Sequence, residues 1–111
     1  MNKKYLTKQE IQAYYKIPAI RKTIIKDLCE VHRIKQNAIA KIMGTTEASV
    51  SQYIKGNRRK EIGFIEDIKI KKVTDMIAEH YKQGKEIDMK KTIENLAEVV
   101  QYGIRRKRYG R

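Results

Sequence analysis

The chain has no tryptophan, one phenylalanine, one proline and one cysteine among 111 residues. A lone Cys29 excludes an internal disulfide and fits the reducing cytoplasm, which is where the protein is expected. No apolar run approaches the ~20 residues of a membrane-spanning helix. The basic start of the chain is followed by no apolar signal core, so no export signal is expected. Gly-rich phosphate loops, paired carboxylates and Ser/His/Asp arrangements do not stand out, and no enzyme is expected. Cys29 and His32 lie three apart on one helix, but two ligands do not make a zinc site and His80 is distant; no metal or cofactor is expected. No segment alternates with a period of two, so no strand is expected. A hydrophobic content of 41% supports one compact domain, or a small domain with an extension, around a modest core.

Acidic residues are also scarce, 13 against 26 Lys and Arg, for a net charge of +13. The shortage is uneven. Residues 1–60 carry +10, residues 61–104 carry −2, and residues 105–111 add +5. An excess of this kind attracts polyanions and steers association with them. Alone, it fits DNA, RNA or an acidic membrane equally well.

The apolar pattern is helical throughout. Residues 1–16 are expected to form a basic arm and a short helix, opened by the capping box of Thr7 and Glu10. Tyr5, Tyr14 and Tyr15 cluster there, for packing, for a partner surface or for stacking on bases. Pro18 suits the first turn of the next helix, whose buried stripe is Ile20, Ile24, Ile25, Leu28 and Val31. Asp27 and Glu30 are placed to pair locally.

Two short helices, 36–43 and 47–55, follow with a tight turn between them. Ile39, Ala40 and Met43 share the inner face of the first. Gly44 ends it, as a residue free to take positive φ. Thr46 caps the second, where Val50 and Tyr53 face inward and Gly56 stops the helix. Beyond Gly63 a long helix is expected from 64 to about 83, then a turn at 83–85, then a last helix from about 89 to 106. Ile65, Ile68, Val73 and Ile77 on the first of these, and Ile93, Leu96, Val100 and Ile104 on the second, form more apolar stripe than a small motif domain needs. They are assigned to contact with a second copy. The resulting organisation is 1–16 as arm and short helix, 17–60 as the domain that holds the two short helices and 61–111 as a two-helix dimerisation region with a basic tail.

The stretch 36–56 resembles the helix-turn-helix of the phage-repressor and Cro superfamily. With the segment 17–21 and with 31–36 ahead of it, the chain resembles small archaeal predicted transcriptional regulators that add a C-terminal helical extension. The resemblance spans 17–108 and is most specific over 17–60. It implies an all-α, repressor-like domain that binds double-stranded DNA. One departure matters: the family favours Ser or Thr just before the Gln of the first motif helix, and Gly two residues earlier. Here Lys35 and Arg33 stand in those places, which predicts a weaker N-cap.

In such a motif the second helix enters the major groove and its outward face meets base edges. Thr46, Glu47, Ala48, Ser51 and Gln52 are therefore the candidate base readers. Gln52 leads, since its amide matches adenine N6 and N7 in a bidentate pair. Ala48 suits a thymine methyl. Glu47 either accepts from cytosine N4 or complements the helix dipole. Gln36, Ser49, Lys55, Asn57, Arg58, Arg59 and Lys60 are the candidate phosphate contacts, with Gln36 carried over from the family's phosphate-binding Gln. Ser49 and Ser51 serve equally as spacers or phosphate ligands. The run 105–108 either grips phosphate or only solubilises. The expected function is a DNA-binding transcriptional regulator acting as a homodimer. The alternatives are a non-specific basic protein coating DNA or RNA, and an adaptor that binds another protein through its C-terminal helices.

Overall fold

The computed structural model describes residues 6–56 and 63–104. The fold is predominantly helical. Helix α1 (Lys8–Ile11) passes through a π-helical turn (Gln12–Lys16) into α2 (Ile17–Glu30); α3 (Gln36–Met43) and α4 (Glu47–Lys55) follow. After them come β1 (Gly63–Ile65), α5 (Ile68–Lys82), α6 (Met89–Val99) and β2 (Tyr102–Ile104).

Thr7 opens α1 with a reciprocal capping box: its hydroxyl accepts from the Glu10 N–H at 3.1 Å, and Glu10 Oε1 accepts from the Thr7 N–H at 2.9 Å. The chain then stays helical to Glu30 rather than breaking before Pro18. The turn just ahead of Pro18 widens, with the Ile17 N–H donating to the Gln12 carbonyl five residues back. Proline removes one helical donor and its ring crowds the carbonyl four residues earlier, so a locally wider helix is the accommodating geometry.

Helix α2 is the central post. Ile20, Ile24, Ile25 and Leu28 along it are at most 1% exposed, and α3, α4, α5 and α6 all pack on it. Val31, assigned to the same stripe by spacing, is instead 64% exposed, because α2 ends at Glu30. Ile34, Ile39, Ala40, Val50, Ile70, Ile77, Ile93, Leu96 and Val100 join the α2 residues in one hydrophobic core.

The C-terminal part differs from the sequence expectation in two linked ways. Helix α5 begins at Ile68, not at 64, and α6 ends at Val99, not at 106. The residues released from both helices pair as a small antiparallel ribbon, with Gly63 opposite Ile104, Phe64 opposite Gly103 and Ile65 opposite Tyr102. Gly103 weakens helix by about 1 kcal/mol relative to alanine, which favours the extended alternative after α6. The ribbon is locked at its inner end, where the Glu66 N–H donates to the Gln101 carbonyl at 3.0 Å and the Gln101 N–H donates to Glu66 Oε1 at 3.2 Å.

Candidate nucleic-acid interface

The pair α3–α4 is built by local chemistry. Lys35 precedes α3 in extended conformation and supplies no side-chain cap. Two residues before it, Arg33 takes φ 58°, a left-handed conformation that favours glycine. Gly44 closes α3 at φ 69° and ψ 38°, and the Thr45 N–H donates to the Ala40 carbonyl at 2.9 Å. Thr46 Oγ1 then accepts from the Ser49 N–H at 3.1 Å, and Thr46 donates its own proton to Ser49 Oγ at 3.1 Å. The Thr46 hydroxyl thus both accepts and donates in opening α4.

On the inner side, Ile39, Ala40 and Val50 are buried, while Met43, Tyr53 and Ile54 pack against the core half-buried. These contacts set the angle between the two helices. On the outer side, Glu47, Ala48, Gln52 and Lys55 are exposed, and Ser51 is half-buried. Ala48, Gln52 and Lys55 recur at helical spacing along one face. Ser51, Gln52, Lys55 and Gly56 line one shallow hollow at the end of α4. Gln36 is exposed at the first residue of α3. Asn57, Arg58, Arg59 and Lys60, Tyr5 of the arm, and the run 105–108 lie outside the described residues.

Of the residues assigned to base reading, Glu47, Ala48, Ser51 and Gln52 thus share an outward surface, while Thr46 is committed to the cap. Ser49 is half-buried, and its Oγ accepts from Thr46.

The residues assigned to contact with a second copy are placed differently. Ile77, Ile93, Leu96 and Val100 are 0, 5, 3 and 2% exposed within the single chain. They line the core against α2 and cannot meet another subunit without opening it. Ile65 and Val73 pack partly against the same core, and only Ile68, at 66% exposure, faces out. The side chain of Ile104 is outside the described residues. The stripe has the spacing of a dimer seam, but α2 provides its partner within the chain.

One cluster at the base of the helix pair was not visible in sequence. His32, in the turn between α2 and α3, contacts Asp75 of α5 at 2.9 Å through Nε2. Asp27 lies beside this contact. Rather than pairing locally, its Oδ2 is buried without a hydrogen-bond partner among the described residues. Burial raises the carboxyl's pKa above its ordinary value. The ammonium of Lys71 opposes that rise, Asp67 and Asp75 add to it, and His32 opposes it. No group of three or more His, Cys, Asp or Glu among the described residues is arranged to hold a metal. No described helix is long and apolar enough to cross a membrane.

Comparison with protein-family models, with curated proteins and with solved structures found no match. What the surface can do therefore follows from its own residues.

Proposed function

We propose that this chain is a sequence-specific double-stranded DNA-binding transcriptional regulator that places α4 in the major groove. The observation that carries the reading is the outward face of α4. It is short, exposed and mostly uncharged, with Ala48 and Gln52 flanked by Glu47 at one end and Lys55 at the other. A groove about 12 Å wide admits one helix, and a face of small and amide side chains suits base edges better than it suits coating phosphate. The +10 charge of residues 1–60 supplies the sequence-independent attraction. Gln36 and the uncapped N–H groups of α3 fit a phosphate at that helix's N-terminus.

Homodimerisation belongs to the same proposal, since a two-fold pair of recognition helices reads half-sites ~34–36 Å apart. The contact then falls on what α5 and α6 leave exposed, Ile68, Met76 and Val99, rather than on the buried stripe.

Selection of bound duplexes from a random pool identifies the preferred site. On it, Gln52→Ala is expected to cost about 1–3 kcal/mol and to relax preference at one or two positions. Lys55→Ala should weaken all sequences alike and lower the salt dependence by about one phosphate contact. Equal effects of the two variants on every sequence would defeat the division of roles. The competing reading, a protein that coats nucleic acid, predicts that outcome.

A further inference from the structure

The turn at Gly84 folds the chain back on α3. Gly84 takes φ 73°, and the Lys85 N–H donates to the His80 carbonyl at 2.9 Å, closing α5. The reversal lays residues 85–87 alongside α3 and leaves a groove of about 600 Å³ between them. That volume falls within the range of small-ligand sites, roughly 300–1,000 Å³.

The groove has two chemistries. Its floor is apolar: Ile42 of α3 and Ile87 of the turn are half-buried and packed on the core, and Tyr81 forms a wall at 41% exposure. Its exposed lining is polar and cationic, contributed by Lys41, Lys85 and Asn37. Neither lysine takes part in an ion pair among the described residues. Glu86 also lines the groove, so the two lysines and one carboxylate leave a local charge of a single positive unit.

We propose that this groove binds a small amphipathic monoanion, an aromatic carboxylate, with its ring against Ile42, Ile87 and Tyr81 and its carboxylate between Lys41 and Lys85. The apolar floor selects for a ligand with an apolar body, since a bare phosphate leaves that surface wet. Glu86 selects against higher negative charge. The ligand bridges the first helix of the outward-facing pair and the α5–α6 turn, tying the two together. The site stands independently of the DNA-binding reading, because it uses none of the residues on the outer face of α4.

The test is a titration of phenylacetate into the full chain, followed by NMR at the Ile42 and Ile87 methyl groups. Phenylacetamide and inorganic phosphate serve as comparators. Saturable shifts at both methyls are expected, with affinity at least about tenfold weaker for the neutral amide and for phosphate, a difference of about 1.4 kcal/mol or more. Lys85→Glu, on an exposed turn, should lower phenylacetate affinity by about tenfold or more while leaving the remaining spectrum in place. A Tyr81→Ala variant should weaken phenylacetate through loss of the wall. Absence of saturation at the two methyls overturns the proposal. So does equal binding of the amide or phosphate, or full affinity in Lys85→Glu.

Discussion

Asp27 sits where two distant parts of the chain meet. Lys71 and Asp75 come to it from α5, Asp67 from the residue that precedes α5 and His32 from the turn below α2, while one of its own oxygens is buried without a partner among the described residues. The upward direction of its pKa carries a sign for stability. The folded chain binds the Asp27 proton more tightly than the unfolded chain does. The associated stability is therefore fully present below the ordinary carboxylate pKa and is lost as pH rises through the raised folded value. Asp27→Asn removes the buried ionisation. It should raise the thermal midpoint at pH 7, and the advantage should vanish below about pH 4, where both chains are neutral at this position. Thermal melts at the two pH values check this; an advantage that grows on acidification contradicts it. No local pattern announces this environment, because Asp27 in sequence has only Lys26 and Glu30 for charged neighbours within one turn. Gln52 and Ala48 are the opposite case. Their outward position follows from the helical spacing around Val50, and it needs no long-range information.

At the scale of elements, legibility followed the range of the signals. The helical character of the chain was readable, as were the turn at Gly44 and the cap at Thr46, since each depends on residues within four positions. The ribbon of β1 and β2 was not. Three-residue strands show no period, and each is stable only because the other stands opposite it. The same pairing explains why α5 and α6 stop short of their apolar patterns. The turn between α3 and α4 carries its own prediction. A methyl group added at Gly44 meets nothing within 4 Å, so the cost of Gly44→Ala is that of the left-handed backbone alone. Urea unfolding should show a loss of about 1–2 kcal/mol. An unchanged stability would mean that the two helices do not depend on this turn.

At the scale of the whole molecule, the stripe of α5 and α6 assigned to a second copy is buried within the chain at Ile77, Ile93, Leu96 and Val100 and exposed at Ile68. An apolar stripe at helical spacing reads alike whether it meets a second copy or another helix of the same chain. Here α2 covers it. Ile93→Ala should therefore destabilise the chain by about 2–5 kcal/mol at any protein concentration. If Ile93 instead held two copies together, the loss would appear as a concentration-dependent dissociation with the fold intact. Denaturant unfolding at two concentrations, with light scattering, separates the two. The charge distribution, in contrast, was fully legible, because net charge needs no fold to be counted. In the proposed function it supplies the non-specific affinity, and the outer face of α4 supplies the preference among sequences.

That preference is the central claim, and competition binding at physiological salt tests it most directly. A labelled duplex selected by the protein is challenged with unlabelled copies of itself and of a scrambled duplex of equal length. The account predicts that the scrambled duplex competes about 10³-fold or more weakly. Competition within about tenfold of the selected duplex would show a protein that holds DNA by charge alone, and would contradict it.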